Sequence, residues 1–215
     1  MSPDANEIKQ SFGKIKERIR QTGRDLDSIT FVGVTKGFDA HTVEQALQAG
    51  ITNFGENYSS EFVQKAKLVT GPATWHFIGT IQRRNIASMA RYVSLWQSIV
   101  RIEEARDIAN IEPGAKGLVQ IDLAELPNRS GVKVEDLSKF MDLISKIDIS
   151  IRGFMCMGDP FDMTRTREIF TKAHEISEDF GLPELSMGMS DDLEVALECG
   201  STIVRIGSAL LGQRA

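Results

Sequence analysis

The fold of the chain is decided by residues 29–58, whose sequence is ITFVGVTKGFDAHTVEQALQAGITNFGENY. Residues 29–36 are rich in β-branched and apolar side chains, which is typical of a buried strand. A helical pattern over residues 40–49 follows and stops at Gly50, because glycine adopts the positive φ that commonly ends a helix. A second strand pattern lies within residues 51–58. This strand–helix–strand order predicts an α/β protein.

The same alternation extends over the rest of the chain. An opening helix is predicted over residues 5–21, where apolar residues recur at spacings of three and four. Strands are predicted at residues 29–36, within 51–58, and at 75–81, 93–99, 117–123, 149–155, 185–189 and 202–206. Helices are predicted at residues 40–49 and 60–69, around 86–90 and 137–144, at 164–180 and 191–199, and shortly after the last strand.

Eight strand–helix units predict a single (β/α)8 barrel of the TIM type over residues 1–215, with the opening helix as an extra N-terminal element. A doubly wound open sheet is the alternative. That fold more naturally carries a glycine-rich phosphate-binding fingerprint after an early strand, and the sequence contains neither a GxGxxG nor a Walker A pattern. The barrel is therefore favoured.

Composition places the chain among ordinary globular proteins. Its 215 residues are 41% hydrophobic and 26% charged, and the net charge of -5 leaves little basic surface for nucleic acid. The N-terminus is polar and acidic, and no stretch approaches the roughly 20 apolar residues that cross a bilayer. Cys156 and Cys199 show no CxxC spacing, which indicates reduced thiols. We therefore expect a cytoplasmic protein with neither nucleic acid nor membrane as a partner.

A candidate nucleophile stands at the end of the first predicted strand. Active sites of such barrels lie at the C-terminal ends of the strands, and the first strand ends in Lys36. Side chains alternate along a strand, so inward-facing Val32 and Val34 would place the Lys36 amine in the barrel mouth. Burial lowers the pKa of a lysine, and its free amine forms Schiff bases. The alternative is a loop lysine that reaches solvent.

A candidate anion site follows the last two strands. The loops after strands seven and eight of such barrels commonly bind phosphate through backbone N–H groups. Gly207 would let the backbone approach an anion closely, and Ser190 and Ser208 offer hydroxyl donors. The alternative role for Ser190 is that of a helix N-cap. Asp191 and Asp192 would repel a dianion unless they point away from it.

An arginine shares the face of the last strand that leads to this anion site. Arg205 alternates with Ile203 and Gly207, so its guanidinium points the same way as the candidate phosphate residue. An inward-facing arginine needs an acceptor, and the sequence places no carboxylate for this role. A ring nitrogen or oxygen of a ligand would serve.

Several motifs occur in one order along the chain. They are Val34-Thr-Lys36, Phe54-Gly-Glu-Asn-Tyr58, Trp75-His-Phe-Ile-Gly79 with Gln82, Arg152-Gly-Phe-Met155, Ser186-Met-Gly-Met-Ser-Asp-Asp192 with Glu194, and Gly200-Ser-Thr-Ile-Val-Arg-Ile-Gly207. In these motifs the chain resembles the pyridoxal phosphate homeostasis protein family, which is similar to the N-terminal barrel of alanine racemase. The resemblance covers almost the whole chain, and Gly-Met-Ser-Asp-Asp followed by Arg-Ile-Gly is specific.

The resemblance implies a pocket for pyridoxal 5'-phosphate (PLP) and no metal. It implies that Lys36 holds PLP as a Schiff base, that Arg205 faces the pyridine nitrogen, that Ser190, Gly207 and Ser208 hold the phosphate, and that Asn57, His76 and Met155 line the pocket. His76 begins its strand rather than ending it, so a position in the core is the favoured alternative for this residue.

The chain departs from the family pattern at two positions. Phe38 lies where family members often carry a second lysine, so transfer of the cofactor through a neighbouring amine loses its basis here. Asn85, flanked by Arg83 and Arg84, replaces the family's usual lysine after Gln82, and the sequence assigns no consequence to that change.

An arginine opposite the pyridine nitrogen would limit the chemistry of the cofactor. A guanidinium stays protonated and has no proton to spare, so the ring nitrogen would remain an unprotonated acceptor and a weak electron sink. Transamination and similar carbanion chemistry should therefore be poor. The predicted function is a PLP-binding homeostasis factor without substantial turnover, with apo forms of PLP-dependent enzymes as transient recipients.

Two alternatives stay open. An amino-acid racemase would use the same barrel and Lys36, but it needs a second acid–base group, which in the resembling racemases comes from a second domain of the partner subunit. The sequence ends at Ala215, soon after the last barrel helix, and neither Tyr58 nor Tyr92 is placed to act as the second acid–base group. The expectation is therefore a monomer that lacks the second acid–base group. A lysine Schiff-base aldolase is the other alternative, and it leaves Arg205 unexplained.

Overall fold

A closed barrel of parallel strands forms the centre of the structure, a computed structural model that describes residues 2–127 and 129–212. The barrel strands are β1 (Thr30–Val34), β2 (Asn53–Glu56), β3 (Thr74–Phe77), β4 (Val93–Ile99), β5 (Ala115–Asp122), β7 (Ile149–Met155), β8 (Glu184–Ser186) and β9 (Ile203–Ile206), and the two-residue strand β6 (Val132–Lys133) pairs with β5 outside the ring. Neighbouring strands pair in parallel, β4 pairs with β5, and β9 returns to β1. The predicted (β/α)8 barrel is confirmed.

Helices surround the barrel. They are α1 (Ala5–Gln21), α2 (Ala40–Gln48), α3 (Ser59–Leu68), α4 (Ile86–Met89), α5 (Ile102–Ile111), α6 (Val134–Ile144), α7 (Met163–Asp179), α8 (Leu193–Glu198) and α9 (Ser208–Leu211), with 3-10 turns at Leu26–Ser28, Arg83–Asn85 and Ala90–Tyr92. The extra N-terminal helix α1 contacts α2, α8 and α9, so it packs where the first and last units of the barrel meet.

Helix α1 has the bounds that its sequence pattern predicts. Asp4 and Glu7 form a capping box at its start, which satisfies backbone N–H groups that the helix itself leaves unpaired. Its apolar stripe, Ile8, Phe12, Ile15 and Ile19, is buried against the barrel. Within the described residues no helix has the length and apolarity that a membrane span requires.

Several elements differ from the sequence prediction, α5 and β1 among them. The sequence prediction gives no residues for α5, whose buried face consists of Glu104, Ala105, Ile108 and Ala109 and so has one large apolar side chain, Ile108. The predicted first strand is too long: β1 ends at Val34, and Lys36 lies in a turn in which Gly37 has a φ of 80°. A side chain on Cβ disfavours that conformation, so the glycine permits the turn immediately after the lysine.

The barrel interior is apolar at its centre and polar along one path. Val32, Leu95, Leu118, Met155 and Ile203 form a small inner cluster, separate from the larger core between the strands and the helices.

Both cysteines are free thiols, as predicted, and burial raises the pKa of the Cys156 thiol to about 12. This shift keeps the Cys156 thiol protonated and therefore inert at neutral pH.

Candidate functional site

A cavity of about 260 Å³ opens at the C-terminal end of the barrel. Its lining includes all seven residues that the sequence selects as a cofactor site, namely Lys36, Asn57, Met155, Ser190, Arg205, Gly207 and Ser208. These residues follow or end β1, β2, β7, β8 and β9, so the rule that barrel sites lie at the C-terminal strand ends brings them together. Met157, Met189 and Ile78 add an apolar wall.

Lys36 is half-buried at the edge of this cavity. Lys36 lies in the turn after β1, where it is partly exposed to solvent and also lines the cavity. The residues on either side of it are held by a buried ionic cluster that sequence analysis missed: Lys65 Nζ donates to Thr35 O at 2.6 Å and to Glu56 Oε1 at 2.6 Å. The available signal was that Lys65 falls on the apolar stripe of α3, three residues after Phe62.

The hydroxyl groups of the two candidate phosphate residues meet at the cavity. Ser208 Oγ donates to Ser190 Oγ at 3.3 Å, and Ala209 N donates to the same Ser190 oxygen at 3.3 Å. Ser190 does not cap α8, because that helix begins only at Leu193. A Cβ at Gly207 would meet only ordinary contacts of 3.6 Å or more, so protein packing alone does not demand glycine there.

The two aspartates after Ser190 occupy different places. Asp192 is buried and accepts a hydrogen bond from Met189 N at 2.5 Å, which turns its carboxylate toward its own loop. Asp191 is exposed and lines the cavity. Arg18 of α1 donates to Ser190 O at 2.9 Å, so a positively charged side chain contacts the backbone of this loop.

Arg18 is the second residue that sequence analysis missed. It also makes a bidentate ion pair with Glu194, at 2.6 and 2.8 Å. That hydrogen bond and charge raise the pKa of Arg18 and lower the pKa of Glu194. A charged residue on the polar side of an amphipathic helix is indistinguishable in sequence from a solvated one, so only the fold reveals this contact.

Arg205 is 5% exposed and has no carboxylate partner among its hydrogen bonds to described residues. Its Nη1 donates to Ser186 Oγ at 2.6 Å, and its Nη2 donates to Cys156 O at 3.0 Å. Burial lowers the pKa of Arg205, yet a guanidinium loses no proton at physiological pH. Arg205 therefore brings a charged donor group to the lining of the cavity.

A chain of hydrogen bonds continues from Arg205 through the barrel. Ser186 Oγ donates to Gln97 Oε1 at 2.7 Å, and Gln97 Nε2 lies 2.8 Å from His76 Nδ1. His76 Nε2 lies 3.1 Å from Asn53 Oδ1 near the other end of the barrel. Each buried polar group in this path thus has a neighbour to bond with.

His76 is the residue that the structure removes from the candidate site. It is 4% exposed and lines a different cavity of about 440 Å³, at the N-terminal end of the barrel. The implied position in the cofactor pocket is therefore wrong, because the His76 side chain faces the N-terminal end of the barrel, where its Nε2 lies 3.1 Å from Oδ1 of Asn53, the first residue of β2. The favoured alternative of a core histidine is correct. Burial lowers the pKa of His76 to about 4.

Comparison with known proteins identifies relatives over nearly the whole chain. Residues 11–215 match the family described as alanine racemase, N-terminal domain. The pyridoxal phosphate homeostasis protein of Pseudomonas aeruginosa is 33% identical over 223 residues, covering 100% of this chain and 97% of that protein. The protein of the same name from Escherichia coli strain K12 is 30% identical over 232 residues, covering 100% of this chain and 98% of that protein.

A solved structure supports the same relationship. PipY of Synechococcus elongatus, solved with PLP bound, superimposes with a TM-score of 0.84 at 25% identity, covering 95% of this chain and 100% of that chain. The chain belongs to the alanine racemase N-terminal domain family and, within it, to the pyridoxal phosphate homeostasis proteins.

Proposed function

We propose that this protein is a single PLP-binding domain that acts in cofactor homeostasis in the cytoplasm, holding PLP as a Schiff base on Lys36. The observation that carries the proposal is the convergence of three donor types in one cavity: the half-buried Lys36 amine, the Ser190 and Ser208 hydroxyls, and the buried Arg205 guanidinium. These groups fit an aldehyde, a phosphate and a ring nitrogen respectively. The PLP-bound structure of PipY adds support.

Each residue has a distinct task in this proposal. Lys36 would add its amine to the aldehyde carbon of PLP with loss of one water, and Ser190 and Ser208 would donate hydrogen bonds to the phosphate. Arg205 would donate to the ring nitrogen while Ser186 and the Cys156 carbonyl hold its other N–H groups. Met155 and Asn57 would close the sides of the pocket. PLP itself supplies the reactive aldehyde and the electron-withdrawing ring.

Covalent trapping tests the assignment of Lys36. Protein incubated with PLP is expected to develop a visible absorption band, and borohydride should add hydride to the imine carbon and fix the adduct as a secondary amine on Lys36. Lys36→Ala should lose the band and the adduct while remaining folded. Lys172→Ala, an exposed lysine on α7, is the matched control and should behave as wild type. Peptide mass spectrometry that places the adduct mainly on another lysine would contradict the assignment.

We further propose that the site supports little turnover. Arg205 keeps its protons, so it leaves the ring nitrogen unprotonated and the ring a weak electron sink. Among the described residues that line the cavity, the ionisable side chains are Lys36, Asp191 and Arg205. Asp191 adjoins the proposed phosphate site, which leaves Lys36 as the base near the reacting carbon. The bound cofactor would instead be available to apo forms of PLP-dependent enzymes.

An assay for the D-isomer checks this expectation. A positioned acid–base group contributes about 10²–10⁴-fold, so a site with one base should interconvert L- and D-alanine far more slowly than about one turnover per second. Faster turnover would favour the racemase alternative.

Light scattering should find that the protein is a monomer. A stable dimer would contradict this expectation, because a partner chain could then supply the second base.

A further inference from the structure

A buried ionic cluster lies directly behind the Lys36 turn. It consists of Lys65 with Glu56 and Glu61, and we refer to these three residues as the lysine clamp. Lys65 Nζ lies 2.6 Å from Thr35 O, from Glu56 Oε1 and from Glu61 Oε1. Lys65 is 3% exposed and Glu56 is 0% exposed, so this pair is shielded from water, whereas the Glu61 side chain is 26% exposed and lies at the edge of the cluster. Lys65 Nζ thus makes hydrogen bonds to Thr35 O and Glu56 Oε1 and an ion pair with Glu61.

The clamp contacts the backbone on both sides of Lys36. On the N-terminal side, Thr35 O accepts from Lys65, and Thr35 Oγ1 donates to Glu56 Oε1 at 2.5 Å. On the C-terminal side, Gly37 N donates to Glu61 Oε1 at 2.5 Å. Side chains of the clamp therefore hold the neighbours of Lys36 on both sides.

Stability alone is a poor explanation for this arrangement. A buried ion pair adds little net stability because its members lose hydration. Glu56 Oε2 is also buried without a hydrogen-bond partner among the residues that the structure describes. Burial accordingly raises the pKa of Glu56. A buried charged group can, by contrast, hold a turn in one geometry. This is useful next to a reacting side chain, because a small displacement of the reacting atom lowers the reaction rate by a large factor.

We propose that Glu61 and Lys65 are positioning residues that aim the Lys36 amine at the aldehyde of PLP. The inference rests on the proposed function and adds the residues that orient its nucleophile. Glu61 fixes Gly37 N and orients Lys65, and Lys65 in turn fixes Thr35 O. Lys65 is a poor nucleophile for PLP itself, because its ammonium is buried and paired with two carboxylates.

Two ligands separate positioning of Lys36 from general shaping of the pocket. PLP forms a covalent bond to Lys36, whereas pyridoxine 5'-phosphate has an alcohol in place of the aldehyde and binds only through its ring and phosphate. Glu61→Ala removes the acceptor of Gly37 N and is expected to weaken PLP binding by about tenfold or more. Binding of pyridoxine 5'-phosphate should change by less than about twofold, since both serines and Arg205 are untouched.

Conservative variants provide the controls. Glu61→Gln keeps an acceptor oxygen at the same place and is expected to retain most of the wild-type affinity for PLP. Glu61→Asp keeps the charge that neutralises Lys65 but withdraws it from Gly37 N, so it should fold and weaken PLP binding even if Glu61→Ala does not fold. Glu198→Ala removes a surface ion pair with Arg167, away from the cavity, and should leave both affinities unchanged.

The outcomes are distinguishable. Wild-type protein that binds both ligands equally and gives no borohydride-fixed adduct would overturn the proposed function and this inference with it. Wild-type protein that forms the adduct, together with Glu61→Ala and Glu61→Asp variants that bind PLP normally, would overturn the positioning role alone. Equal weakening of both ligands in these variants would also overturn it, because the clamp would then shape the pocket rather than aim Lys36.

Discussion

Replacing Ser190 and Ser208 together with alanine is expected to weaken PLP binding by about 10²–10⁴-fold, because each hydrogen bond to a charged group contributes about 1.5–3 kcal/mol. Binding of pyridoxal, which lacks the phosphate, should change by less than about threefold. The two hydroxyl oxygens lie 3.3 Å apart at the rim of the cavity, so a single anion can accept from both. Spectral titration of the double variant with each ligand measures the two affinities.

Two controls for the double variant concern its stability and a serine outside the cavity. Ser208 is exposed and Ser190 is half-buried, so their removal should change the free energy of unfolding by less than about 1 kcal/mol. Ser145→Ala, at the exposed end of α6, removes a hydroxyl of the same kind outside the cavity and should leave both affinities unchanged. If PLP and pyridoxal lost affinity equally, the phosphate would bind elsewhere in the protein.

The barrel could be predicted from sequence because its signals are local and repeated. Each strand is a short β-rich run, and each long helix carries an apolar stripe, as α1 does over Ile8, Phe12, Ile15 and Ile19. Active sites of such barrels lie at the C-terminal ends of the strands. Given the order of the strands, this rule alone predicts that Lys36, Arg205 and Ser208 lie in one cavity, as they do. Local pattern and topology together were therefore sufficient for the outline of the site.

The strand ends and supporting contacts could not be predicted in this way. The first, third and seventh strands stop earlier than their sequence patterns suggest, at Val34, Phe77 and Ser186. Thr35, directly after β1, is held by Lys65, which lies 30 residues further along the chain. Arg18 lies 172 residues from Ser190 in the chain, and no local pattern records that contact.

His76 should make the protein lose stability as the pH falls from about 6.5 to about 4. Burial lowers the pKa of His76 in the folded protein from 6.5 to about 4, so the folded state holds this imidazole neutral while the unfolded chain protonates it. Between these two pH values the unfolded state binds more protons, and the free energy of unfolding therefore decreases on acidification. The gap between the two pKa values corresponds to about 3 kcal/mol at pH 4.

A histidine-to-glutamine exchange isolates this contribution from those of the carboxylates. Asp39 and Glu194 also have lowered pKa values, and they too lose stabilising interactions on acidification, so wild type alone would not identify the cause. His76→Gln retains an acceptor for Gln97 Nε2 and a donor for Asn53 Oδ1 but cannot titrate. Urea unfolding of both proteins at pH 7 and pH 4 should show the variant gaining about 3 kcal/mol relative to wild type at the lower pH. If the difference in free energy of unfolding between the two proteins stayed constant with pH, His76 would have the same pKa in the folded and unfolded states. The hydrogen-bonded path from Asn53 to Arg205 would then have to accommodate a charged imidazole.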